Sequence, residues 1–259
     1  MGYGEYWGKM SNNICLVVVD VDGCLTPGEA QPWDFSVLQF VAELNRKARA
    51  DTRQFAVTLC TGRQEPYVEA MMQAIDAHMP GIYENGGGLY FPKTYRFAEN
   101  PSITLTQRFA LAEIRRVLTH EIVETGIGQF QPGKEVSLTL YPAHEGVTFV
   151  QLADLAHRAL DGKVSGCTIM PLVTSVDIML DGIDKGAGVE WLSRETGIPL
   201  AQMAGIGDSP GDLPYLRRVG FSAAPANATD DVKRTVQYVS PFEDGTGVVD
   251  IVSRWIVVR

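Results

Sequence analysis

The stretch ICLVVVD at residues 14–20 runs apolar and largely β-branched until it ends in an aspartate. An unbroken apolar run of this length reads as a strand buried on both faces, which a parallel sheet covered by helices provides. Similar short runs recur at FAVTLC (55–60), GIYE (81–84), MAGIGD (203–208) and GFSAA (220–224). Helical patterns lie among them at FSVLQFVAELNRKA (35–48), PYVEAMMQAIDAHM (66–79) and KGAGVEWLSRETG (185–197), the last ending at a glycine. Strands alternating with helices at both ends of the chain predict an α/β fold built on a parallel sheet.

The middle of the chain reads differently. Helical stretches at 106–123 and 147–160 are interleaved with strand-like ones at 135–141, 166–171 and 175–180. Those near 135 and 175 alternate polar with apolar residues, which suits a sheet with one open face. Residues 89–180 are therefore expected to form an inserted α+β domain, with 14–88 and 181–259 together making the main domain. Gly86, Gly87 and Gly88 read as the hinge between them, with Asn85 either positioning that hinge or making an ordinary turn. Residues 1–13, MGYGEYWGKMSNN, show no periodicity and read as a flexible lead-in, with Met10 an alternative natural start.

With 259 residues and 45% hydrophobic content, the chain can bury a sizeable core. The 22 basic and 31 acidic residues give a net charge of −9, which argues against nucleic acid or an anionic membrane as the main partner. A small anionic ligand remains compatible, because the field at a site depends on nearby groups more than on the total. The longest apolar runs fall far short of the about 20 residues of a membrane span, and no secretion signal opens the chain, so the expected location is cytoplasmic. Cys15, Cys24, Cys60 and Cys167 are widely spaced without a CxxC pair, which suggests neither a zinc site nor a disulfide framework. The histidines, His78, His120, His144 and His157, have no ligand spacing.

In an open α/β sheet, ligands gather beyond the carboxyl ends of the strands. Four sequence features fall there. Asp20 and Asp22 close the first strand. In CTGR (60–63), Thr61 and Gly62 offer a hydroxyl and backbone N–H groups to an oxyanion, and Arg63 reads either as a phosphate contact or as a surface residue starting a helix. IDKGAG (183–188) places Lys185 at a helix N-terminus, a position favourable for anions. GIGDSPGD (205–212) sets Asp208 at a strand end and Asp212 one turn later. Converging carboxylates repel one another, so a hard divalent cation with oxygen ligands, Mg²⁺, is the expected occupant, and metal and lysine together attract phosphate. Asp20 is then placed to attack phosphorus, Asp22 to protonate the leaving oxygen and later activate water, and Lys185 to pair with Asp20 and the phosphoryl oxygens.

In order and spacing, DVDGCLT (20–26), Thr61 of CTGR, Lys185 of DKG and GDSPGD (207–212) resemble the four motifs of haloacid dehalogenase superfamily phosphatases. The resemblance covers essentially all of the chain outside the lead-in and the middle insert. It implies a Rossmann-like, doubly wound core and the use of Mg²⁺. It further implies an Asp20 nucleophile, an Asp22 acid/base and phosphate contacts from Thr61 and Lys185, with the metal held by Asp20, the backbone carbonyl of Asp22, Asp208 and, directly or through water, Asp212. YENGGGLY (83–90) is similar to the segment leading into the cap domain of the sugar-phosphatase branch. Residues 23–60 leave room for one helix and little else, whereas 64–184 hold the whole α+β block, so the cap belongs at the second insertion point. That is the type IIB arrangement of sucrose-phosphate, mannosyl-phosphoglycerate and archaeal-type phosphoglycolate phosphatases. Two positions depart from the pattern: Cys24 stands for the usual threonine and Gly211 for the usual asparagine before Asp212.

The expected activity is Mg²⁺-dependent hydrolysis of a small soluble phosphomonoester, a sugar phosphate or a phosphoglycolate-like acid, through an aspartyl-phosphate. Phosphomutases of the phosphomannomutase type share the core, the cap position and an LT segment followed by proline, here Leu25, Thr26 and Pro27. A dehalogenase fits less well, since Asp22 would have no leaving oxygen to protonate. A non-enzymatic binding protein fits poorly with acid, base and metal positions all intact.

Overall fold

A computed structural model describes residues 14–172 and 175–255; the lead-in expected over 1–13 lies outside the described residues. In chain order, the first part contains β1 (Leu16–Val19), α1 (Phe35–Ala50), β2 (Ala56–Leu59), α2 (Glu65–Ala74), β3 (Gly81–Tyr83), β4 (Gly88–Phe91) and β5 (Arg96–Glu99). The middle adds α3 (Leu105–Leu118), β6 (Gly128–Phe130), β7 (Ser137–Pro142), α4 (Phe149–Leu160), β8 (Cys167–Pro171) and β9 (Val176–Leu180). The last part runs α5 (Lys185–Thr196), β10 (Met203–Ile206), α6 (Leu213–Leu216), β11 (Phe221–Ala224), α7 (Asp230–Thr235), β12 (Tyr238–Val239) and α8 (Asp244–Trp255).

The chain divides into two compact units, one of Met1–Ala98 with Lys185–Arg259 and the other of Glu99–Asp184. In the first, β12-β11-β10-β1-β2 form a five-stranded sheet whose paired strands are all parallel. The chain winds outward from β1 to β2 and then returns to β1's other side at β10. That reversal makes the β1–β10 edge the topological switch point, where the crevice of such a sheet opens.

Alternation along β1 feeds two cores. Val17 and Val19 pack with Val37, Leu38 and Val41 of α1 and Val248, Ile251 and Val252 of α8. Leu16 and Val18 pack on the opposite face with Val189 and Leu192 of α5, Tyr215 and Leu216 of α6 and Val232 of α7. All four β1 side chains are fully buried, as a strand covered on both faces requires. Each contributes about 1.5–3 kcal/mol relative to exposure in water.

Four local expectations change. GIYE is not among the five strands of the parallel sheet: it touches that sheet through a parallel Cys60–Ile82 bridge and pairs antiparallel with β4. The glycines expected as an interdomain hinge lie inside the first unit, where Glu84–Gly86 make a tight turn and Gly88 begins β4 under the Tyr83 ring. Residues 89–98 accordingly belong to that unit, although they were expected in the insert. The helix expected over 66–79 stops at Ala74, because Asp76 takes a left-handed conformation (φ 49°) that a helix cannot continue.

The second unit is a four-stranded antiparallel sheet, β6-β7-β9-β8, with α3 and α4. Leu138 and Leu140 of β7 and Val176, Ile178 and Leu180 of β9 pack with Ile114, Leu118, Leu152 and Ala156 of the helices. Both helices begin with a Thr-x-x-Gln capping box, Thr104 with Gln107 and Thr148 with Gln151. The alternate residues Thr139 and Asp177 share a hydrogen bond of 2.5 Å, with Lys134 beside them.

Candidate active site

Strand parity decides where Asp20 points. Leu16 and Val18 face α5, so the next residue of that series does too. The backbone N–H of Asp20 extends the ladder to the Ile206 carbonyl at 2.9 Å. Its side chain meets Lys185, the first residue of α5, whose Nζ stands 2.9 Å from Asp20 Oδ1 and 2.6 Å from Asp212 Oδ1. Asp20, Lys185 and Asp212 are all buried, Asp212 completely.

Asp212 is anchored from its other side as well. Its Oδ2 accepts from the Asp208 N–H at 3.0 Å, the Ser209 N–H at 2.9 Å and the Ser209 hydroxyl at 2.9 Å. Asp208 follows β10, and its Oδ1 accepts a weak bond from the Cys24 thiol at 3.6 Å. One carboxylate oxygen from each of Asp20, Asp208 and Asp212 lies within 4.8 Å of the others.

Burial and crowding set the charge states. Burial, then the Asp212 charge, pushes the Asp20 carboxyl well above its usual range, and the same two causes push Asp208 up to about 7. Burial alone would favour loss of the Lys185 proton, but the facing carboxylates of Asp20 and Asp212 outweigh it and hold the ammonium well above its ordinary value. Burial, then Asp208, raises the Cys24 thiol, which keeps it protonated as a donor. One ammonium cannot balance three ionised carboxylates, which is why the Asp20 and Asp208 carboxyls keep their protons to unusually high pH. This is the donor set and charge that a hard divalent cation fits.

The loop around Gly23 approaches this cluster closely. Gly23 has φ +82°, and a Cβ there would stand 2.8 Å from Asp208 Cγ and nearer still to Oδ2. Asn227 Nδ2 donates to the Gly23 carbonyl at 2.8 Å and holds the loop in place.

Thr61 follows β2, the strand beside β1, and is buried. Its hydroxyl accepts from the Arg63 N–H at 3.2 Å, and its carbonyl accepts from the Asn85 N–H at 3.0 Å. The Glu84 N–H donates to the Arg63 carbonyl at 2.9 Å, and the Asn85 amide stands against Gly62. Glu84 and Asn85 are buried with φ of 46° and 55°, conformations that cost about 1–3 kcal/mol each and persist where the surroundings fix them. Arg63 does not reach into the Lys185 cluster. Its Nε and Nη2 donate to Asp22 Oδ2 and Oδ1 at 2.7 and 2.8 Å.

The structure thus brings Asp20, Lys185, Asp208 and Asp212 into contact, joins Asp22 to Arg63, and sets Thr61 and Gly62 at the end of the neighbouring strand. Sequence reading passed over Ser209, Asn227 and Glu84, and it singled out Cys24 without a reason for its presence. Ser209 carried a signal, since Ser-x-x-Asp is a capping box that ties the two aspartates together. Asn227 carried none, lying 204 residues from the loop it holds.

Residues 169–252 match the family of haloacid dehalogenase-like hydrolases. A phosphoglycolate phosphatase of Thermoplasma volcanium is 28% identical over 93% of this chain and 98% of its own. Phosphoglycolate phosphatase 1 of Saccharolobus solfataricus is 27% identical over 93% and 95%. Among solved structures, Thermoplasma acidophilum 0175 superimposes with a TM-score of 0.71 at 22% identity, covering 94% of this chain and 98% of that one. The subclass IIB sugar phosphatase BT4131 does so with a TM-score of 0.68 at 18% identity, covering 94% and 100%. These two share the fold. The match over residues 169–252 and the likeness to the phosphoglycolate phosphatases along nearly their whole length make the chain similar to the haloacid dehalogenase-like hydrolases. No helix among the described residues is long and apolar enough to cross a membrane.

Proposed function

We propose that this hydrolase is a Mg²⁺-dependent phosphatase of a small phosphorylated metabolite in the cytoplasm, working through an aspartyl-phosphate on Asp20. The convergence of one carboxylate oxygen from each of Asp20, Asp208 and Asp212, with the buried Lys185 ammonium paired to Asp20 and Asp212, carries this reading. Asp20 and Asp208 side chains and the Asp22 carbonyl would hold the ion. Asp212 stands behind them, because both its oxygens already accept hydrogen bonds. Bound Mg²⁺ supplies charge neutralisation for the cluster and for an incoming phosphate.

The chain's own groups perform the transfer. An Asp20 carboxylate oxygen attacks phosphorus; the phosphorus–ester bond breaks, and its electron pair leaves on the ester oxygen, which takes a proton from Asp22. Water then attacks phosphorus and gives a proton to Asp22, while the bond to Asp20 breaks and returns its pair to the carboxylate. Lys185 spreads charge from Asp20 and the phosphoryl oxygens, and Thr61 and Gly62 donate hydrogen bonds to the latter. Residues Glu99–Asp184 serve as the inserted cap that selects the substrate. The relatives matched along nearly their whole length are named phosphoglycolate phosphatases, which makes 2-phosphoglycolate the first substrate to test and hydrolysis the favoured outcome over phosphoryl shift.

Incubation with 2-phosphoglycolate and a set of sugar phosphates, measuring free phosphate alongside isomerised ester, separates hydrolase from mutase. Phosphate release that stops with a chelator or with Asp20→Asn is expected. Undiminished release from Asp20→Asn, or isomerised ester without free phosphate, refutes the proposal.

A further inference from the structure

Asp22 and Arg63 form a fork-to-fork pair, with two parallel bonds of 2.7 and 2.8 Å between groups 41 residues apart in sequence. Such bidentate pairing fixes the plane of a carboxylate as well as its distance. The guanidinium is itself held from other directions. Its Nη2 lies 3.6 Å from Glu29 Oε1, and its central carbon stands 4.8 Å from the Tyr67 ring centroid. Tyr67 in turn meets Trp33 edge-on, with ring centroids 6.0 Å apart. The Arg63 side chain is only 15% exposed, so little rotamer freedom remains to be lost when Asp22 is engaged. Asp22 is 26% exposed and would otherwise be a short, mobile carboxylate at the edge of the site.

Two alternatives fare worse on this geometry. A surface arginine that merely starts α2 would not spend its fork on a residue next to the nucleophile. A phosphate contact would direct those donors toward Lys185 and Thr61, whereas here both forked donors are taken by Asp22.

We infer that Arg63 is a positioning residue that sets the Asp22 carboxylate for the leaving-group oxygen, with Glu29 and Tyr67 holding the guanidinium in place. The inference rests on the phosphatase reading above. Arg63 acts through Asp22 and not on the phosphoryl group, so its value depends on how much help the leaving group needs. An ester whose leaving oxygen is strongly basic requires the proton from Asp22, and one that leaves readily does not.

Two aryl esters of similar size, p-nitrophenyl phosphate and phenyl phosphate, differ in that need. In Mg²⁺, Arg63→Gln is expected to lower kcat/KM for phenyl phosphate by about tenfold or more, part of the roughly 10²–10⁴-fold that acid–base assistance supplies, and for p-nitrophenyl phosphate by less than about threefold. In an Asp22→Asn background the same change should add no further loss. Arg63→Lys, which keeps the charge without the fork, should recover only part of the phenyl phosphate rate and serves as the second variant if Arg63→Gln does not fold by thermal melting. Equal losses on both esters, or a loss that adds to that of Asp22→Asn, would overturn the assignment while leaving the phosphatase reading intact. A wild-type chain that releases phosphate from neither ester, nor from 2-phosphoglycolate or the sugar phosphates, would overturn the phosphatase reading and this inference with it.

Discussion

Replacing Gly23 by alanine separates the cost of a backbone shape from the cost of a displaced ligand. At φ +82° an alanine pays about 1–2 kcal/mol for the left-handed conformation. For a chain of this size that is roughly 2–4 °C in Tm per kcal/mol, hence a fall of about 2–8 °C. The new Cβ also meets the Asp208 carboxylate, at 2.8 Å from its Cγ, so the carboxylate must rotate away. If Asp208 holds Mg²⁺, affinity should fall by at least the about 10–100-fold typical of disturbed outer-sphere partners. Thermal unfolding without metal reads the first effect, and calorimetric titration with Mg²⁺ reads the second. Gly28→Ala is the control, since Gly28 also has positive φ (+135°) but its Cβ would meet nothing within 4 Å; it should lower Tm and spare the metal. A Gly23→Ala protein whose Tm falls while its Mg²⁺ affinity matches the wild type would refute the role given to Asp208.

Lys185→Met removes the cation that pairs with Asp20 and Asp212, and breaking such a buried network should cost about 3–5 kcal/mol in urea unfolding together with loss of phosphate release. Ser209→Ala removes one of three bonds to Asp212 Oδ2 and should cost about 1–2 kcal/mol by the same measurement, with activity reduced but present. The Asp208 carboxyl, pushed up to about 7, holds its proton in the folded chain at pH values where the unfolded chain has lost it. Metal-free stability should therefore fall as pH rises from about 4 to about 7, and Mg²⁺ should bind more tightly over the same rise; melting curves with and without Mg²⁺ across that range check both signs.

Much of this site was legible because its parts are local. Asp20 had to end a strand with no polar residue before it, and strand parity then turned it toward the helix that Lys185 begins. Asp208 and Asp212 were readable as a strand end and the turn after it. What was not legible depends on contacts between distant segments. Cys24 had no evident reason in the sequence; the folded chain puts its thiol 3.6 Å from Asp208, where a threonine hydroxyl would be a stronger donor. Arg63 read equally as phosphate contact or surface residue, and only the fold brings Asp22 into its fork. The glycines at 86–88 looked like a hinge because glycine composition reports permissiveness, whereas close packing under Tyr83 also demands a missing side chain.

Nucleophilic attack by Asp20 is tested most directly by trapping the phosphoryl group on the chain. Asp22→Asn, which slows the second half of the reaction, is mixed with p-nitrophenyl phosphate and Mg²⁺, quenched in acid within the first turnover, and digested for peptide mass spectrometry. Phosphoryl mass is expected on the peptide carrying Asp20 and none when Asp20 is asparagine. Release of p-nitrophenol with no phosphorylated peptide, or phosphoryl mass on a different residue, would contradict it.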